Sequence, residues 1–105
     1  MADDSILPAD IVDLARRVVA ENTATGRTVT LAESCTGGLV SAALTEIAGS
    51  SAVLDRGFVT YSNEAKHQLL GVPLDIIDSL GAVSPSTACA MAQGALRAST
   101  ADVAG

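Results

Sequence analysis

One hundred and five residues are enough for one domain with one core, but not for two. Hydrophobic residues make up 49% of the chain and aromatics only 2%, which excludes a disordered tail and implies a core of closely packed Ala, Val, Leu and Ile, as in layered α/β proteins. The formal charge of −6, without any Lys/Arg stripe, argues against nucleic acid as a partner, and no apolar run reaches the length of a membrane span.

The N-terminus lacks the basic start and apolar block of a secretion signal. Cys35 and Cys89 form neither a metal-ligand pattern nor a disulfide framework. A cytoplasmic protein without metal or cofactor is therefore expected.

In chain order, Pro8 suits the first position of a helix, with Asp10 near the positive end of its dipole. Ile11, Leu14, Ala15, Val18 and Val19 recur at helical spacing and predict the face that packs on a sheet. Gly26 is placed to end that helix in the left-handed conformation. Residues 28–38 read as a β-branched strand running into a Gly-Gly turn, and 39–47 as the helix that follows. Residues 53–61 form a second strand, with Gly57 as a bulge or a close approach and with Asp55 and Arg56 marking an edge or turn. Ser62 or Asn63 caps a short helix stopped by Gly71, and Pro73 opens another that ends at Gly81. Ser84-Pro85 starts a last helix, whose predicted buried face is Ala88, Met91, Ala92, Ala95 and Leu96. After Thr100 a loop leads into another strand. So few strands beside four or five helices make a poor sheet, so these residues are expected to be part of a longer domain.

The chemistry concentrates at two places. A strand that ends where a helix begins leaves N–H groups pointing past the sheet, and Ser34, Cys35 and Thr36 sit on that junction. Donors near Thr36, Gly37 and Gly38 are candidates for holding an oxyanion or a phosphate, so Cys35, Thr36, Gly37 and Gly38 are the expected substrate contacts. The second place holds the one Lys, one Tyr and one His of the chain, all within residues 61–67. Five other cationic side chains are Arg, so the sole Lys raises the question of proton transfer, which Arg does not perform.

If the two strands are parallel neighbours, their carboxyl ends share the edge where open α/β sheets bind ligands. Ser34, Tyr61 and Lys66 would converge there. Lys66 could then take a proton from the Ser34 hydroxyl, and Tyr61 relay it or orient the amine. The bland alternatives are a helix cap for Ser34 and an exposed helix lysine for Lys66. Cys35 is a rival nucleophile, or else a small buried residue. Glu33 and Glu64 flank the candidates and either orient Lys66 or act as caps. His67 reads as solvent-facing and Cys89 as core. Tyr61 and Lys66 lie five apart, which is not the short-chain dehydrogenase spacing, and Gly37 stands where a β-lactamase motif needs lysine.

The segments 32–38 (AESCTGG), 49–51 (GSS), 59–66 (VTYSNEAK), 70–72 (LGV) and 81–84 (GAVS) closely resemble, in content and order, the CinA (competence/damage-inducible) family. In particular they are similar to its C-terminal domain. The resemblance implies a three-layer α/β/α sandwich with a mostly parallel sheet. It also implies nicotinamide-nucleotide amidase activity, the deamidation of nicotinamide mononucleotide to nicotinate mononucleotide and ammonia. Ser34 would be the nucleophile, Lys66 its general base and Tyr61 a supporting residue. Family domains continue beyond the equivalent of Gly105 with more strands and a second Gly-rich loop, so part of the pocket is expected to lie outside these residues. A non-catalytic nucleotide-binding or regulatory module of the same fold is the rival reading. A pyridine mononucleotide is the expected partner, and homo-oligomerisation is left open.

Overall fold

Five consecutive residues, Val29–Glu33, form the strand β1 around which the chain is built. The computed structural model describes residues 5–105. Ahead of β1 runs helix α1, Ala9–Thr25. After it come α2, Leu39–Thr45, a 3₁₀ turn at Ser50–Ala52, and strand β2, Leu54–Val59. Helices α3 (Asn63–Leu70), α4 (Leu74–Leu80) and α5 (Pro85–Arg97) then lead to β3, Val103–Ala104. The sheet has the order β2-β1-β3 and is parallel throughout.

A central parallel strand has both faces covered, and β1 is accordingly buried at Val29, Thr30, Leu31 and Glu33. Val29 and Leu31 enter a cluster with Val12, Ala15 and Val19 of α1 and Ala43 and Leu44 of α2. Across the sheet, Ala32 and Phe58 pack on Leu70, Val72, Ile77, Met91 and Ala95. Helices α1 and α2 thus cover one face and α3, α4 and α5 the other, which is the expected three-layer α/β/α arrangement. Among the described residues no helix is long and apolar enough to cross a membrane.

The local signals explain the element ends. Gly26 and Gly71 close α1 and α3 at φ 67° and 66°, the left-handed region where glycine is unstrained. Ser62 caps α3 by accepting from the Ala65 N–H at 3.0 Å, and Ser84 caps α5 by accepting from Thr87 at 3.1 Å, with Pro85 in the first turn.

Several expectations need correction. Pro8 precedes the helix, accepting from Val12 N–H through its carbonyl, so α1 begins at Ala9. On α1 the buried residues are Val12, Ala15 and Val19, while Ile11, Leu14 and Val18 are exposed. The apolar arc of the helix is wider than the sheet beneath it can cover. Gly57 is a close approach: a Cβ there would collide with Ser41 of α2. The bulge falls at Asp55, because Val29 pairs with Leu54 and Thr30 already with Arg56. On α5, Ala88, Cys89 and Leu96 face solvent, and Thr87 and Gly94 are buried instead. Gly94 is needed where α5 meets the end of α3, since a Cβ would run into the Leu70 carbonyl.

Candidate active site

Beyond Glu33 and Val59 the paired strands end together. The last bond of the ladder, Thr60 N–H to the Glu33 carbonyl at 2.8 Å, fixes Ser34 and Tyr61 as the next residues out on adjacent chains. Both strand-to-helix junctions therefore open on the carboxyl edge of the sheet.

The first junction is built around Glu33. Its side chain is 3% exposed, and Gly37 and Gly38, at φ 60° and 105°, fold the following chain back over it. One carboxylate oxygen accepts from the Thr36 hydroxyl at 2.8 Å and from the Gly38 and Val40 N–H groups at 3.0 Å each. The other accepts from Ser41 N–H at 2.9 Å and the Ser41 hydroxyl at 2.6 Å. Burial by itself would raise the Glu33 pKa. The hydroxyl and N–H of Ser41, the Thr36 hydroxyl and the Val40 N–H outweigh it and hold the group below its usual 4.5. Glu33 is thus the cap of α2, supplied from the strand because Gly38 has no side chain with which to cap it.

This changes which donors are free. The N–H groups of Gly37, Gly38 and Leu39 are taken by the Ser34 carbonyl, Glu33 and the Thr36 carbonyl. Among the described residues, no acceptor is found for those of Ser34, Cys35 and Thr36. Gly37 and Gly38 shape the turn, and the three residues before them present its donors. Ser34 is half-buried, and its hydroxyl makes no hydrogen bond among the described residues, while Cys35 and Thr36 are exposed.

The second junction carries Lys66. It lies one turn into α3, yet it is 1% exposed, which rules out a solvated helix lysine. Its Nζ donates to the Tyr61 carbonyl at 2.8 Å, which brings the amine to the rim that Ser34 occupies on the neighbouring strand. Tyr61 contributes that carbonyl, while the residue as a whole is 76% exposed. Glu64 is exposed and does not pair with Lys66. His67 faces solvent, as expected, with Nδ1 against the Val72 carbonyl at 2.8 Å.

An open cleft of about 500 Å³ runs alongside Ser34, Cys35 and Thr36 and is walled by Ala82, Val83, Ser84, Pro85, Ala88 and Met91. Its size suits a small ligand. The opposite wall was not read as part of the site: residues 81–84 carry part of the family resemblance, but the loop before α5 reads locally as a cap, and only the topology brings it across to β1. Glu33 did leave a signal, an acid placed just ahead of a helix without a capping side chain of its own.

Fold and site together define the class: a parallel α/β/α domain with a serine-bearing turn and a buried lysine at the carboxyl edge of its sheet. Comparison with known proteins gives the family. The model of the CinA C-terminal domain matches residues 11–104, and the chain belongs to that family. It is 55% identical over 92 residues to a protein of Enterobacter agglomerans named nicotinamide-nucleotide amidohydrolase PncC, covering 88% of this chain and 56% of the relative. The protein of the same name from Escherichia coli K12 is 51% identical over 96 residues, 91% of this chain and 58% of that one. Among solved structures, the competence/damage inducible protein CihA of Agrobacterium tumefaciens superposes with a TM-score of 0.92 at 57% identity, over 95% of this chain and 61% of that one. The chain thus spans a little over half the length of the curated relatives it matches.

Proposed function

We propose that this chain carries amidohydrolase chemistry directed at the carboxamide of a pyridine mononucleotide, producing the nicotinate form and ammonia. The observation that supports this most is the buried Lys66 amine, held by one hydrogen bond at the rim where Ser34 leaves β1. The name carried by the relatives at 55% and 51% identity points to the same substrate class.

In this reading Lys66, acting as the neutral –NH2 form, moves from the Tyr61 carbonyl to the Ser34 hydroxyl and takes its proton, becoming the ammonium. Ser34 Oγ attacks the carboxamide carbon, and charge develops on the carboxamide oxygen. The N–H groups of Cys35 and Thr36 receive that oxygen, each well-placed donor contributing about 3–4 kcal/mol. Gly37 and Gly38 hold the turn in the shape that presents them. The tetrahedral adduct collapses, the C–N bond breaks, and Lys66 returns the proton to the leaving ammonia. Water then adds to the ester with Lys66 again as base, and the carboxylate leaves with Ser34 restored. Tyr61 supports the cycle by fixing the resting position of the amine. No step needs a metal or cofactor, and such an enzyme belongs in the cytoplasm.

The test is ammonia release from nicotinamide mononucleotide by the intact protein, wild type against Ser34→Ala. Loss of turnover with substrate binding retained supports the mechanism. Undiminished turnover in Ser34→Ala, or wild-type protein that binds the nucleotide without releasing ammonia, overturns it; the second result would make the domain a binding module.

A further inference from the structure

The cleft wall across from Ser34, Cys35 and Thr36 begins in the turn from α4 into α5, where Ala82, Val83 and Ser84 follow Gly81. Gly81 ends α4 at φ 95°, a backbone conformation that glycine adopts without strain. Among the described residues no acceptor is found for the N–H groups of Ala82, Val83 and Ser84, and no strand pairs with them. Side chains close the turn instead. The Thr87 hydroxyl donates to the Gly81 carbonyl at 2.7 Å, and Ser84 Oγ stands 3.1 Å from that carbonyl and from Thr87 Oγ1. Ser84 Oγ also accepts from the Thr87 N–H at 3.1 Å.

Helix capping accounts for the last of these bonds but not for the Thr87 hydroxyl. A threonine inside a helix ordinarily returns its hydroxyl to a carbonyl three or four residues back; this one reaches six residues back, to a carbonyl ahead of the helix. Thr87 is fully buried and does not line the cleft, so any effect it has on a ligand passes through the turn it holds. The wall that follows from the turn is mostly apolar, with Ala82, Val83, Pro85, Ala88 and Met91. A carboxamide reacting at Ser34 carries its ring directly behind it, and the ring is the part that such a wall can meet. Contact with an unreactive ring is equal in the ground state and the transition state, so it is expressed in KM and not in kcat.

We propose that Thr87 is a positioning residue for substrate: by anchoring the Gly81 carbonyl it sets the wall that receives the ring of the carboxamide, resting on the reading of this cleft as the substrate site. Ser34 and Lys66 do the chemistry on one side, and Thr87 fixes the distance of the other.

Ammonia release from nicotinamide mononucleotide by the intact protein, with calorimetric binding of the same nucleotide, tests this on wild type, Thr87→Val and Thr87→Ser. Thr87→Val keeps the shape and removes the hydroxyl, so KM should rise about tenfold with kcat within about twofold of wild type. Thr87→Ser keeps the hydroxyl and should restore KM. An unchanged KM in Thr87→Val, or a Thr87→Ser protein as impaired as Thr87→Val, overturns the proposal, because a purely structural threonine would lower the active fraction and leave KM alone. If the valine methyl against the Gly81 carbonyl prevents folding, Thr87→Ala removes the same hydroxyl and decides by the same split. A wild type that binds the nucleotide without releasing ammonia ends the amidohydrolase reading, and the dissociation constants then decide for Thr87: about tenfold weaker binding in Thr87→Val, restored in Thr87→Ser, upholds its role and equal binding overturns it. A wild type that neither binds nor turns over the nucleotide overturns both.

Discussion

Two strand-to-helix junctions meet at one edge of the sheet, and they treat a buried ionisable side chain in opposite ways. Glu33, at the first, accepts five hydrogen bonds, one more than the roughly four lone-pair sites a carboxylate offers. Lys66, at the second, is as deeply buried, but among the described residues its amine makes one hydrogen bond, to the Tyr61 carbonyl. A group bound on every side is part of the frame. A group on a single tether can leave it without breaking the packing around its stem. The difference fits the proposed mechanism, in which the acid is fixed and the amine moves.

The largest expected effect follows from the single tether. Lys66→Met keeps the buried stem and removes the amine, so turnover should fall by about 10²–10⁴-fold while thermal stability stays near wild type or rises. Ser34→Ala should do the same, since its hydroxyl takes part in no hydrogen bond of the resting structure among the described residues. Residues that act as one unit are not additive, and the double variant should be no slower than the worse single one. Ammonia release and thermal unfolding on the same preparations check this. A Lys66→Met protein that loses stability in step with activity would make the lysine frame as well and break the contrast.

Glu33→Gln should show the reverse pattern, losing stability first. An amide in place of one carboxylate oxygen sets a donor against the N–H of Ser41 and removes the charge from the start of α2, at a cost of about 1.5–3 kcal/mol. The folded Glu33 pKa lies below 4.5. Its contribution is therefore complete above the ordinary carboxylate value and is lost as pH falls from there through the lower folded value. Denaturant unfolding from neutral pH down to acid should accordingly give a flatter acid limb in Glu33→Gln than in the wild type. Equal acid limbs would show that the five bonds do not stabilise the ionised form.

A smaller effect probes how the lysine junction is positioned at all. The end of α3 packs so closely on α5 that a Cβ at Gly94 would collide with the Leu70 carbonyl. Gly94→Ala must push α3 away from α5, with a stability loss of about 1–3 kcal/mol read by denaturant unfolding. If the mechanism holds, turnover falls with it, because the displaced helix carries Lys66. Stability lost without any change in turnover would mean that the displacement at the end of α3 does not carry through to the Lys66 amine.

What the sequence made legible follows the same division. The strands, caps and turn glycines are written in short local signals, so β1, β2 and the ends of α3 and α5 could be read directly. That Ser34 and Tyr61 leave the sheet at one edge needed one further assumption, that β1 and β2 are parallel neighbours, and the ladder meets it. Features that depend on packing between distant elements were not legible. The wall from Ala82 to Met91, the burial of Thr87 and Gly94, and the exposure of Cys89 all depend on how α5 rolls against β1 and α3. The exposed stripe of α1 was misread because period alone gives an apolar arc, not how much of it a partner covers. Glu33 lay between the two kinds, its cap visible in pattern but its depth set by the fold.

The smallest effect bears on which atom of the first junction is reactive. Cys35 adjoins Ser34, lines the same cleft and is exposed, so it is the rival nucleophile. Its side chain makes no hydrogen bond among the described residues, and only its backbone N–H enters the proposed mechanism. Cys35→Ala keeps that N–H and removes the thiol, so turnover should stay within about threefold of wild type, the drift expected of a lost side-chain contact worth well under 1 kcal/mol. Alkylation of the thiol, by contrast, should slow turnover by filling the cleft, and the Ala variant should resist the reagent. Inhibition of wild type together with an active, resistant Cys35→Ala places the thiol beside the chemistry without a part in it. An inactive but folded Cys35→Ala would move the nucleophile one residue along the turn, and Lys66 would then have to serve a sulfur that Glu33 and the Gly37-Gly38 turn present in place of the serine oxygen.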